Sequence, residues 1–150
     1  MSTLAENRQA RFDYHILETL EAGLKLTGPE VKSVKNGSIN LKGSFVTFHN
    51  NFALLTNAHI SPYKFAGPQP SYEPTRGRIL LLRKKELDYL RGKGLEKGLT
   101  IIPLKVYTKQ HLIKIELGVG RGKKQYNKKE TIKNRDIDRD LRRTLKTRTF

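Results

Sequence analysis

Four histidines, His15, His49, His59 and His111, are the side chains best able to bind a metal or move a proton near neutral pH, and none has the spacing of a metal-binding pair. With no Cys in the chain, zinc-finger and thiolate sites are excluded, and each imidazole reads as a surface or partly packed residue. The run Gly118-Val119-Gly120-Arg121-Gly122-Lys123 looks suited to phosphate. However, Leu117 stands where a P-loop needs its first glycine, and Lys124 replaces the final Ser or Thr. It reads as a flexible hinge carrying positive charge. The 14 Asp and Glu, against 30 Lys and Arg, form no pair of the kind a two-metal nuclease uses. No catalytic residue, metal or cofactor is expected.

The chemistry these residues do support is the binding of a polyanion. A net charge of +16 and a pI near 10.2 attract such partners and keep copies of the chain apart. The last thirty residues, Arg121 to Phe150, hold twelve Lys or Arg and four Asp or Glu, half of the net charge in a fifth of the length. Ile137, Leu141 and Leu145 recur every four residues there, Asn127 precedes Glu130 as a helix start, and Asp138 precedes Arg142 on one face. This apolar stripe is too thin to fold alone, so the segment is expected to be disordered when free and helical against its target. Nucleic acid is the leading target. An anionic membrane fits less well, because the chain has no Trp and the tail offers few apolar anchors. The polar first eleven residues and the lack of any long apolar run point to a soluble, cytoplasmic protein.

The elements that position these residues read mostly as strands. Phe12, Tyr14 and Ile16 alternate with polar neighbours, and Leu24 and Leu26 resume the pattern beyond Gly23, where a bulge or bend is expected. Gly28-Pro29-Glu30 opens a short helix that turns Val31 and Val34 inward and closes at Gly37. Phe45 to Phe48 and Phe52 to Leu55 form a hairpin about Asn50-Asn51, since Asn tolerates the positive φ of tight turns. The loop Ser61 to Pro74 carries four prolines and the rings of Tyr63, Phe65 and Tyr72, which either stack on bases or cover the wall of the fold. Ile79 to Leu82 reads as a buried strand or as the start of the following helix, the strand being favoured, and Lys84 to Lys97 is a helix interrupted by Gly92 and Gly94. The clearest alternation follows: Thr100 to Tyr107 and Leu112 to Val119 form a hairpin with one wet side, Ile113, Ile115, Leu117 and Val119 facing in and Lys114 and Glu116 facing out. Pro103 places an edge or a bulge in the first strand of that hairpin. The order fits a mainly β fold, a six-stranded antiparallel barrel of the oligonucleotide-binding type over residues 1–120, with short helices and a basic tail over 121–150. Glu21, a carboxylate on a basic surface, reads first as half of an ion pair and second as an acceptor for base or ribose donors.

A series of short motifs carries a resemblance. Asn7-Arg8-Gln9-Ala10, Glu21-Ala22-Gly23-Leu24, Gly28-Pro29-Glu30-Val31-Lys32-Ser33, Asn40-Leu41, Pro74-Thr75-Arg76 with Leu80-Leu81-Leu82, and Gly122-Lys123-Lys124 stand in the order and spacing of the SsrA-binding protein family, small protein B. The resemblance runs from about Asn7 to Arg139. It implies an oligonucleotide-binding barrel that binds the tRNA-like domain of transfer-messenger RNA and delivers it to stalled ribosomes in trans-translation. It points to Glu21, Leu81 and Lys114, with Asn7 and Lys32 as weaker candidates, for that RNA. It points to Gly122, Lys123, Lys124, Tyr126, Asn127, Lys128 and Lys129 for small-subunit RNA at the decoding centre, with the rest of the tail in the empty mRNA channel. Elongation factor Tu is a further expected partner, reached through the RNA complex. The chain departs from the family pattern at Asn127 (Asp in the family), Lys129 (Arg), Ile79 (Lys) and Lys35 (Arg), and Lys129 lacks the planar fork of an Arg. Without the resemblance, the alternative is a ribosomal or translation-factor protein of the same fold that binds ribosomal RNA.

Overall fold

The computed structural model describes residues 2–123. The expectations placed on Lys124, Tyr126, Asn127, Lys128, Lys129 and the remainder of the tail lie outside the described residues. In chain order the elements are β1 (Ser2–Glu6), α1 (Arg8–Asp13), β2 (Tyr14–Leu24), α2 (Gly28–Lys35), β3 (Ile39–Asn40), β4 (Phe45–Phe48) and β5 (Ala53–Thr56). They continue with β6 (His59–Ile60), β7 (Arg78–Leu81), α3 (Lys84–Leu95), β8 (Leu99–Lys109) and β9 (Leu112–Gly122).

The longest pairing is the hairpin whose alternation was clearest. Ile113, Ile115, Leu117 and Val119 of β9 all turn into the main core, opposite β8, while Lys114 and Glu116 point away. Its turn is built from Gln110 and His111, with φ of 51° and 68°, the two positive values that a right-twisted two-residue connection requires. The expected hairpin of β4 and β5 is also present, closed by His49 N donating to Phe52 O at 2.8 Å. Among described residues the positive φ values outside glycine fall at Asn57, Gln110 and His111, so Asn50-Asn51 turns the chain without the left-handed conformation expected of it.

Seven strands form one antiparallel sheet in the order β1-β8-β9-β2-β7-β5-β4, and β3 pairs with β6 in a second, two-stranded one. The sheet rolls until β4, at one end, lies beside β8. The mainly β, antiparallel architecture is the expected one, but the described residues hold nine strands rather than six. Two of the additional strands, β3 and β6, are only two residues long, too short for any alternation to be read. β1 pairs with β8 and turns only Leu4 and Ala5, both half-buried, against the main core, too short an apolar pattern to read from the sequence. Strand β2 begins at Tyr14, because Asn7 caps α1 and takes Phe12 and Asp13 into that helix.

Irregularities occur where packing demands them. The bulge in β2 lies between Ile16 and Glu18 and not at Gly23, whereas the bulge in β8 falls between Pro103 and Lys105, beside the proline that predicted it. Gly23 answers a different need: a Cβ there would sit 3.1 Å from Leu81 Cβ, and its absence lets β7 close against β2. The outer face of β8 and β9 is not uniformly wet, since α1 covers it with a second small core of Ala10, Ile102 and Leu104, against which Tyr14 and Ile16 pack. Gly118 and Gly120 are therefore strand residues beneath that helix and not a hinge; a Cβ on Gly118 would meet Leu104 Cδ1 at 2.7 Å. Strand pairing continues through Gly122, and Lys123 N donates to Asp13 O at 2.9 Å.

Helix α2 forms as expected, with Thr27 and Glu30 completing a reciprocal cap and Pro29 in the first turn. Helix α3 runs through Gly92 and Gly94 to Leu95 because Leu87 and Leu90 anchor its inner face. No helix of the described residues is long and apolar enough to cross a membrane.

Candidate nucleic-acid interface

Strand β2 changes partner at Gly23, which is registered against Lys114 of β9 and also against Leu81 of β7. That junction gathers residues far apart in sequence. Glu21, Gly23, Leu81, Arg83, Glu86 and Lys114 line one open cleft, and Leu81 stands in it 54% exposed. An apolar side chain so exposed beside a carboxylate and an ammonium presents three different contacts to a ligand. The cleft continues into a neighbouring hollow bounded by Leu24, Val31, Leu112 and Lys114, which brings α2 to its edge.

Glu21 is held from within. Tyr107, on β8, donates its hydroxyl to Glu21 Oε2, and Lys109 Nζ lies 3.4 Å from the same oxygen. The Tyr107 bond, with Lys109 and Lys114 nearby, outweighs partial desolvation and keeps the Glu21 carboxyl below its ordinary pKa. Burial, reinforced by Glu21, pushes the Tyr107 phenol up, so the hydroxyl remains a donor. The ion-pair reading of Glu21 is correct as far as Lys109 goes. Among the described residues Oε1 accepts no hydrogen bond.

The two weaker candidates differ. Lys32 extends from α2 to within 5.8 Å of the Tyr63 ring centroid. Asn7 is 6% exposed and fully engaged inside the chain: its Nδ2 donates to Pro103 O at 2.9 Å and its Oδ1 accepts from Ala10 N at 3.2 Å. Asn7 thus sets the position of α1. Gly122 and Lys123 lie at the far end of β9 from Lys114, roughly 30 Å away at about 3.3 Å per strand residue.

Sequence reasoning missed the polar network under this surface. Glu30 is 2% exposed and accepts from Arg76 Nε at 3.1 Å and from Arg78 Nη2 at 2.7 Å, while Arg78 is wholly buried. Burial alone would raise the Glu30 pKa. Arg76, the Thr27 amide and Arg78 overcome it and bring the carboxyl down to about 2. Tyr72 belongs to this network, donating to Ile60 O at 2.8 Å, so this loop ring serves the fold. The Thr27-x-x-Glu30 spacing signalled the cap, but nothing local signals partners 46 and 48 residues away. Among the described residues no group of three or more His, Asp or Glu is placed to hold a metal ion.

A model of the SmpB protein family matches residues 4–147. The chain is 50% identical over 143 residues to the SsrA-binding protein of Prochlorococcus marinus, covering 95% of this chain and 82% of that protein. It is 53% identical over 143 residues to the SsrA-binding protein of Leuconostoc mesenteroides, covering 95% and 92%. A solved chain described as "tmRNA-SmpB: a journey to the center of the bacterial ribosome" is similar with a TM-score of 0.68 and 45% identity, covering 85% of this chain and 93% of that one.

Proposed function

Because the chain belongs to the SmpB protein family, we propose that it acts as the RNA-binding adaptor of trans-translation, binding transfer-messenger RNA and bringing it to stalled ribosomes. The observation that supports a specific site is the convergence of Glu21, Leu81 and Lys114 on one cleft from three strands. In this reading the cleft takes the tRNA-like domain. The free oxygen of Glu21 accepts from a base amino group or a ribose 2′-hydroxyl, Lys114 neutralises a phosphate, and Leu81 packs on a sugar or base face. Lys32 adds charge at the α2 edge, and Asn7 contributes by fixing α1.

The ribosome-facing role falls to Gly122, Lys123, Lys124, Tyr126, Asn127, Lys128 and Lys129, with the remaining tail directed to the mRNA channel, whose walls of ribosomal RNA suit its charge. No bond is made or broken by the protein in this scheme, so it is an adaptor and not an enzyme. Elongation factor Tu joins through the RNA, and work on the ribosome places the protein in the cytoplasm.

The test is a gel shift with transfer-messenger RNA and with the same RNA lacking its tRNA-like domain. The intact RNA should bind tightly and the truncated one weakly, and Glu21→Ala, Leu81→Ala and Lys114→Ala should each weaken the intact complex. Equal affinity for the two RNAs would overturn the assignment in favour of a general ribosomal-RNA binder.

A further inference from the structure

Phe65 is 72% exposed, the most exposed aromatic side chain among the described residues, yet the loop that carries it is firmly held. Ser61 N donates to Ser38 O at 3.1 Å, and Ser33 Oγ donates to Ser61 O at 2.6 Å, tying the start of the loop to α2 and the residues after it. Ala66 N and Gln69 Nε2 both donate to Tyr63 O, at 3.0 and 3.3 Å, closing a 3-10 turn over Lys64–Ala66. Tyr72 fastens the far side through Ile60 O. A ring needed only for packing would be turned inward by such a scaffold, and this one is turned out.

Its neighbours fit a specific chemistry. The Tyr63 ring stands edge-on to Phe65, with centroids 5.5 Å apart at 70°, which limits how far the Phe65 ring can swing. Lys64 Nζ lies 4.9 Å from the Phe65 centroid, and Lys32 Nζ lies 5.8 Å from that of Tyr63. Glu30, the acid closest in sequence to Lys32, is consumed by Arg76 and Arg78 beneath the surface. The exposed Phe65 ring, with Lys64 over one face and Lys32 over its neighbour Tyr63, matches an unpaired nucleotide, whose base stacks on the remaining ring surface while its phosphates meet the cations. A helical duplex, with its bases already stacked on each other, offers no such face.

We propose that Phe65, braced by Tyr63 and flanked by Lys64 and Lys32, is a stacking site for one unpaired RNA base. The site rests on the functional reading above only for the polymer being RNA. It deepens that reading, because α2 carries Lys32 next to Val31, which lines the hollow adjoining Leu81 and Lys114. One strand of RNA leaving the cleft would cross α2 to reach it.

The chain contains no Trp, so Phe65→Trp in the full-length protein gives a single indole reporter at an exposed position. Titration with a twelve-nucleotide oligouridylate should quench that indole, and a duplex RNA of equal length should not. Phe65→Ala should weaken oligouridylate binding, read by anisotropy, by about 5- to 150-fold, the range for loss of one base–aromatic stack. Phe65→Leu should fail to restore it, and Lys64→Ala with Lys32→Ala should weaken it further. Emission unmoved while anisotropy reports bound oligouridylate, or equal quenching by duplex, overturns the site, as does Phe65→Leu binding like wild type, which would mark a general apolar contact. Quenching by oligouridylate in a chain that fails to bind the tRNA-like domain would support the site while removing the functional reading. Tight binding of that domain with no response of the indole to either RNA would do the reverse.

Discussion

Tyr107 donates to the same oxygen of Glu21, Oε2, that faces Lys109, so the carboxylate is anchored at one oxygen and presented at the other. The Tyr107 bond is the main influence holding the Glu21 carboxyl below its ordinary pKa. A depressed carboxylate stays ionised above its ordinary pKa and loses its charge only as the pH falls through the depressed value. Tyr107→Phe keeps the ring and removes the hydrogen bond. The Glu21 titration midpoint, followed by side-chain carbon NMR, should therefore rise toward 4.5, and affinity for the tRNA-like domain at neutral pH should fall severalfold as the carboxylate loses its orientation. An unmoved midpoint would assign the anchoring to Lys109 and Lys114 instead.

Glu30 should govern acid stability. Its carboxyl is lowered from 4.5 to about 2 in the folded chain, so its contribution is complete above about pH 4.5 and is lost as pH falls toward 2. The shift corresponds to roughly 3 kcal/mol. Glu30→Gln retains the shape but leaves Arg78 buried without its counter-charge, which costs about 3–5 kcal/mol when one partner of a buried pair is removed. Urea unfolding at pH 7 should show that loss, and the variant's stability should vary less than wild type between pH 4.5 and pH 2. Parallel pH profiles for the two proteins would contradict the linkage.

Legibility follows the range of the interaction. Ile113, Ile115, Leu117 and Val119 declared their strand because alternation is local, and Pro103 declared its bulge because a missing N–H is a local defect. Thr27 and Glu30 make a cap that three residues suffice to show, whereas the burial of Glu30 depends on Arg78 of β7 and Arg76 of the loop before it. Glycine is ambiguous in sequence: the reason for Gly118 is Leu104, a side chain across the sheet, and composition alone made it a hinge. The cleft residues were carried by resemblance. Chemistry offered an ion pair or an acceptor for Glu21; the geometry shows the pair with Lys109 and leaves Oε1 without a hydrogen bond.

That ambiguity at Gly118 gives a prediction of opposite sign for its two readings. In a flexible hinge, Gly118→Ala would stabilise slightly by restricting the unfolded chain. Under Leu104 and Ile16, whose atoms lie 2.7 and 3.3 Å from the new Cβ, it should destabilise by about 1–3 kcal/mol through overpacking. Thermal unfolding decides between them. Combining it with Leu104→Ala should cost less than the sum of the single changes, because the truncated side chain vacates the clash.

The placement of Lys114 near the start of β9 and of Lys123 just past its end bears on how the two RNA contacts are divided. Roughly 30 Å between them is too far for one phosphate to bridge, so Lys114 and Lys123 are expected to meet different stretches of RNA. A chain lacking residues 124–150 should therefore bind the tRNA-like domain within about threefold of the full chain at matched salt. Its plot of log affinity against log salt should keep its slope, since each lost phosphate contact lowers that slope by about 0.7–0.9. For the full chain, six to ten such contacts would lower affinity about a thousandfold or more between 50 and 200 mM salt. Tagging of nascent chains on stalled ribosomes should nevertheless be abolished by the truncation, while Glu21→Ala should impair RNA binding and spare the tail's own affinity for the small subunit. A truncated chain with a flatter salt slope for the tRNA-like domain would show that the tail also holds that RNA, and the division along β9 would fail.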